Sequence, residues 1–295
     1  MNRFTVLPLV VLFTTSGLAN AAGNTSTLEQ SGSSNTALAD QNSAAIDNNI
    51  EIFQSGSLHN AEADQRDEIE STIYQVQRGT LNDSYSLQLG GANNSVLIFQ
   101  SGTANKAKTY QLSTHNSKAI IRQGGVGNVA EIQQHLGSGN NSVIEQIGSV
   151  HGAFVGQYAS FDSEAYIFQE GSYHDAIIKQ EGAGHYASIQ QMGASNSADI
   201  LQRDMHNEAD IIQNGDGNAA TIVQVSWYNS AFVNQDGYMN SANIMQSGAG
   251  GFGGGHLVIV NQSGGMNDAT VIQSGFSESA NITQTGYGNK AVVHQ

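Results

Sequence analysis

The sequence predicts an all-β chain wound into a β-solenoid of about twelve two-stranded coils of ~22 residues, stacked in the cross-β manner. Three observations predict it. Glutamines return every eleven or twelve residues from Gln30 through Gln41, Gln54 and Gln65 to Gln273, Gln284 and Gln295, which makes 24 units. The residues before each glutamine alternate: Ile or Val two before, Ala four before and often Asn six before, as in Asn196, Ala198, Ile200 and Gln202. A period of two puts those residues on one face of a strand. The single proline is Pro8, so beyond residue 21 every backbone N–H is available to a ladder.

In chain order, "MNRFTVLPLVVLFTTSGLANA" comes first, with Arg3, an apolar run and the small-residue site Ala19-Asn20-Ala21. This reads as a signal peptide over residues 1–21, cleaved after Ala21, and the apolar run is too short and interrupted for a membrane span. Residues 22–295 then read as one repeat array. Gly stands two residues after many glutamines, as at Gly32, Gly102, Gly215 and Gly286, and Gln-x-Gly-x-x-Asn reads as a tight turn between strands. In the first half, units with this Gly alternate with units lacking it, for example after Gln111, Gln134 and Gln157, so the building block is a strand-turn-strand pair. One such pair buries too little to offset the entropy of ordering it, whereas stacking shares each buried face between neighbours. The expected core is two facing sheets lined by Ala and Ile. Gln and Asn lie at strand ends, each side chain bonding to its equivalents above and below.

The insert "SGAGGFGGGH", residues 247–256, makes the one long gap between glutamines and reads as a loop leaving one coil. The chain ends in mid-pattern on Ala291, Val293 and Gln295. A final strand in full register with no charge or proline to blunt it is an open edge.

Composition narrows the functional classes. There is no cysteine, hence no disulfide or thiolate chemistry, and the formal charge of −15 argues against nucleic acid. His151, His174, His185 and His206 fall at or beside turn positions where Asn stands in other units, which makes them polar turn residues before metal ligands. Asp199, Asp204, Asp210, Asp216 and Asp236 take outward or turn positions, and an even repeat offers no cleft for paired carboxylates. "NGDGN" at 214–218 touches a calcium-binding pattern but occurs once. Neither catalysis nor a cofactor is expected. Outward aromatics such as Phe99, Tyr110, Phe154, Tyr166, Phe168 and Tyr186 exceed the needs of a plain soluble solenoid. They are expected to stack in short rows, to bind surfaces or to pack filaments side by side.

"SADILQRDMHNEADIIQNGDGNAATIVQ", Ser197 to Gln224, and the last unit "ITQTGYGNKAVVHQ" resemble the curlin repeat of bacterial curli fibres, Ser-x5-Gln-x-Gly-x-x-Asn-x-Ala-x3-Gln. The resemblance runs over essentially all of the chain after residue 21. It implies a β-solenoid that joins end to end into an extracellular functional-amyloid fibre on a Gram-negative cell surface, a fimbrium serving adhesion, surface colonisation and biofilm. It further implies as partners a nucleator subunit and an outer-membrane secretion channel with periplasmic accessory proteins. Here there are more than twice the usual repeats, and no Gly/Asn-rich segment follows the leader. The final unit is of standard form, which fits a major subunit better than a nucleator; a monomeric adhesin is the rival outside the family. The residues expected to carry the ladders and the fibre-end interface are Gln30, Asn35 and Gln41 at one end. At the other they are Ala280, Ile282, Gln284, Asn289, Ala291, Val293 and Gln295.

Overall fold

The structure, a computed structural model, describes residues 23–42, 44–248 and 253–295. The proposed leader over residues 1–21 and the middle of the insert, 249–252, lie outside the described residues. Twenty-four strands run from β1 (Thr25–Ser33) and β2 (Thr36–Gln41) to β23 (Ser279–Tyr287) and β24 (Lys290–His294), with no helix among the described residues. The odd-numbered strands form one parallel sheet of 12 and the even-numbered strands a second. Each coil is one odd and one even strand, so the chain winds into a β-solenoid of twelve coils. At ~4.8 Å per coil the stack is roughly 55–60 Å long.

Alternation along each strand decides what lies inside. In β17 (Glu208–Asp216), Ala209, Ile211 and Gln213 are buried and Glu208, Asp210 and Ile212 face outward. From the even sheet, Ala198, Ile200 and Gln202 meet them across a thin core, with both isoleucines 0% exposed. The two faces interdigitate without a void-filling third layer, which is why small Ala and β-branched Ile or Val recur at fixed places.

The turn differs from the sequence expectation. In the odd sheet Gln lies in mid-strand rather than at its end, and the strand continues through the Gly: β17 includes Gln213 and Gly215, and only Gly217 and Asn218 precede β18 (Ala219–Val225). Successive strands enter opposite sheets and share no ladder. The reason is the glycine itself. At φ values such as +114 at Gly125 and +106 at Gly215 it bends the strand while its carbonyl stays in the stack. The residue leading each corner out of the odd sheet is left-handed too, and often not Gly: Val150 (φ 56), Tyr173 (φ 58) and Met239 (φ 53) are examples. Non-Gly residues there cost about 1–2 kcal/mol each, and the stack holds them by bonds such as Val150 N–H to Val126 O, 2.9 Å, and Tyr173 N–H to Ser149 O, 3.0 Å.

The alternation of units with and without Gly has its counterpart in the two sheets. The Gly row runs through the odd sheet. In the first half of the even sheet an added left-handed residue follows the glutamine instead, at Gly90, Ser113, Leu136 and Ala159. After a first advance of 24 residues, coils there advance by 23 and later by 22, and the change falls at a register shift between Tyr158 and Ser160, which passes over Ala159. The insert lengthens one coil to 27 residues without disturbing either sheet.

Candidate functional site

Two glutamine ladders run unbroken from the first coil to the last. In the odd sheet, Gln30 Nε2 donates to Gln54 Oε1 at 2.7 Å, and the same bond repeats down to Gln262 to Gln284 at 2.8 Å. In the even sheet the series opens with Gln41 to Gln65, 2.9 Å, and closes with Gln273 to Gln295, 2.9 Å. Most of these amides spend the other N–H on a backbone carbonyl of the facing sheet or the corner before it, as Gln54 does on Thr36 O (2.8 Å), Gln213 on Ser197 O (2.9 Å) and Gln65 on Ser71 O (3.0 Å). The buried amides are thereby satisfied, the condition for placing them in a core.

The corner asparagines work differently from the side-chain ladder expected. Asn Oδ1 accepts the backbone N–H of its equivalent one coil on, as Asn82 does from Asn105 N at 3.0 Å. Its Nδ2 donates to carbonyls, as Asn82 Nδ2 does to Arg78 O (2.9 Å) and Gly102 O (3.2 Å). Direct Asn-to-Asn side-chain bonds join only some coils, among them Asn289 Nδ2 to Asn267 Oδ1, 2.9 Å. Histidines substitute for Asn in this role. His151 Nδ1 accepts from His174 N (3.3 Å), and His174 Nδ1 from Asn196 N (3.2 Å), while their Nε2 atoms face Ile147 O and Glu170 O. Such geometry requires the neutral tautomer with hydrogen on Nε2. His206 lies outside the row and stacks on Tyr228, ring centroids 5.1 Å apart.

Burial pushes His59, His151, His174 and His185 below the ordinary histidine value of 6.5, with backbone carbonyls opposing the shift more weakly. The unfolded chain therefore takes up protons near 6.5 that the folded chain refuses. Stability is complete above that value and falls as the pH drops below it, by up to about 1.4 kcal/mol per pH unit for each histidine so held. A chain with H59N, H151N, H174N and H185N, Asn being the residue of the other coils, is expected to lose that slope in denaturation midpoints. Glu68, Asp64, Asp199 and Asp210 are pushed upward by burial and act in the opposite sense. Both chains keep them, so the difference in slope isolates the histidines; identical slopes would refute the assignment.

The repeat pattern missed a polar segment inside the core. Gln75 takes an Ile position and is 0% exposed. Its Oε1 accepts from Ser84 Oγ at 3.0 Å and its Nε2 donates to Ser86 Oγ at 2.8 Å, with Thr109 also bonding Ser86 at 3.0 Å. Ser84 and Ser86 replace Ala and Ile in the facing strand, and that paired departure was the available signal.

At the ends the pattern stops in a directional way. Gln30 and Gln41 are half-buried donors to the second coil, and among the described residues nothing donates to their Oε1 atoms. At the far end Gln284 Nε2 reaches Asp268 O (3.0 Å) and Gln295 Nε2 reaches Ser279 O (3.3 Å); each keeps the N–H that elsewhere meets the next glutamine. Asn35 Oδ1 receives His59 N at 3.1 Å, while Asn289 Oδ1 has no further coil to serve. Ala280 and Ile282 are 6% exposed, and Ala291 and Val293 pack on the core only in part. A Cβ on Gly286 would meet nothing closer than 3.9 Å, where each glycine above it in the row is covered by the next coil.

A family model for the curlin associated repeat matches residues 161–193 and 205–248. No curated protein matches the chain. The matched segments lie in the seventh to tenth coils, and their Gln, Gly and Asn rows continue on either side.

Proposed function

We infer that this chain, which carries curlin associated repeats, is the structural subunit of an extracellular curli-type amyloid fibre, growing by addition of one copy's first coil to another's last. The observation that carries the reading is the polarity of the glutamine ladders. One end offers two carbonyl oxygens, at Gln30 and Gln41, and the other offers two amide N–H groups, at Gln284 and Gln295, in the same sheets and register. A second copy continues both ladders, sets Asn289 Oδ1 against the N–H of its own Asn35, and lays Leu28 and Ala37 over Ile282, Ala291 and Val293. Such a head-to-tail contact does not close and generates a filament. No catalytic step and no cofactor belong to this role. A nucleator subunit and an outer-membrane channel with periplasmic accessory proteins are its further partners, and adhesion and biofilm matrix its use at the cell surface.

Thioflavin fluorescence on residues 22–295, with and without preformed fibre fragments, tests the reading. Fragments are expected to remove a lag and to yield fibres with a reflection at about 4.7–4.8 Å. Val293→Asp places a charge in the end contact and is expected to slow growth on fragments about tenfold or more. Thr221→Asp, outward in the middle of the stack, is expected to leave growth within about twofold. A chain that stays folded and monomeric with a flat signal, or equal effects of the two substitutions, would remove the end-to-end reading.

A further inference from the structure

The outward face of the odd sheet differs from the rest of the surface in its centre. On the fourth to seventh coils its two middle rows carry the half-buried Leu97, Phe99, Val143, Tyr166 and Phe168, with the nearly covered Ile120 among them. No acidic residue occurs between Asp83 and Glu131 in a chain of net charge −15, and that interval holds Lys118 and Arg122 on this face. Glu145, Glu164 and Glu170 follow at once on the next two odd strands. Arg122 and Glu145 are register partners on adjacent strands, yet the six ion pairs of the described residues include neither. A continuous apolar row, Leu97, Ile120, Val143 and Tyr166, with unpaired charges of both signs beside it marks an interaction surface.

We propose that this face binds the same face of a second copy, with the two stacks antiparallel about a two-fold axis that lies along the strands between the fifth and sixth coils. The inference rests on the filament reading for its cellular setting; the contact itself needs only two copies of the chain. That axis sets Arg122 opposite the partner's Glu145, and Glu145 opposite the partner's Arg122. It also places Phe99 against the partner's Phe168 and Leu97 against the partner's Tyr166. Parallel stacks would bring the Lys118 and Arg122 coil onto itself, like charge on like, so the charge pattern selects the antiparallel pairing. Within the third to eighth coils no charge meets its own sign. The contact ends one coil further out, where Glu51 would face the partner's Asp210. Six coils by four outward positions cover about 700 Å² per copy, ~1,400 Å² in total, within the range of specific interfaces. Each contact occurs twice, as two-fold symmetry demands.

The test reads filament width by electron microscopy and the mass of the soluble fraction by sedimentation velocity. Wild-type protein is expected to give filaments in pairs and a soluble species of twice the chain mass. R122E and E145R, which oppose like charges at two symmetric places, are each expected to give single filaments and a soluble monomer. R122E/E145R is expected to restore both the pairs and the dimer. Both side chains point outward, and the rescue guards against loss of fold as the cause. Unchanged width and mass in either single variant, or no rescue in the double, overturns the pairing. Absence of filaments in every variant would count against the end-to-end reading, and the soluble mass would still decide the face-to-face one.

Discussion

Replacing Gly125 with alanine is expected to destabilise the solenoid by about 4 kcal/mol or more, while the same change one residue earlier, Gly124→Ala, shifts it by less than about 0.5 kcal/mol. The two glycines are adjacent in sequence, and only Gly125 stands two residues after a ladder glutamine, Gln123. Gly125 has φ +114, and a Cβ there would lie 1.9 Å from the carbonyl oxygen of Gly148 in the next coil; around Gly124 nothing lies within 4 Å. An L-residue in the left-handed region costs about 1–2 kcal/mol. The overlap is with backbone, which cannot swing away as a side chain would, so adjoining coils must part or the row must shift. A Cβ on Gly148 would likewise overlap the carbonyl oxygen of Gly171, and one on Gly171 that of Gly193. A displacement at one step is therefore handed along the stack. Urea denaturation followed by far-ultraviolet circular dichroism checks the pair. Equal midpoints for G124A and G125A would show that the Gly row is not fixed by close approach.

That contrast shows what was and was not legible in the sequence. Period-two alternation of Asn, Ala, Ile and Gln announces inward faces because burial and strand geometry act on each unit alone, and the unit count then gives twelve coils. The turn was misplaced because a Gly two residues after Gln signals a positive φ equally well inside a strand and beyond it. Only the neighbouring coil, whose carbonyl occupies the Cβ position, distinguishes the two. Val150, Tyr173 and Met239 in left-handed corners have no local signature at all, since their conformation is imposed by bonds from adjacent coils. Histidine in the Asn row was visible as a substitution. Its acceptor Nδ1 and the neutral state that follows were not, for they depend on the backbone N–H of the next coil. The ends were legible as an uncovered edge. Their donor-and-acceptor polarity required the direction in which every amide in the ladder points.

That direction leads to the second large effect. Gln146→Leu is expected to cost about 3 kcal/mol or more, although leucine is apolar and of similar size. Gln146 Oε1 accepts from Gln123 at 2.8 Å, and its Nε2 donates to Gln169 Oε1 at 2.8 Å and to Val129 O at 3.1 Å. The leucine leaves a donor on Gln123 and an acceptor on Gln169 without partners. A buried group so stranded costs about 1–3 kcal/mol, and no water reaches a site where Gln123, Gln146 and Gln169 are each at most 1% exposed. Gln295→Leu removes the equivalent residue at the open end, where only Gln273 and Ser279 O lose a bond, in part-exposed surroundings. Its expected cost to the monomer is under about 1 kcal/mol, yet it deletes one of the two amide donors presented to the next copy. The two variants should therefore separate in opposite directions. Gln146→Leu lowers the denaturation midpoint far more than Gln295→Leu, whereas Gln295→Leu slows elongation on preformed fragments beyond its effect on stability. Equal midpoints would mean that the ladder is no stronger in the middle than at its end. Normal elongation of Gln295→Leu would mean that the terminal amide takes no part in the joint.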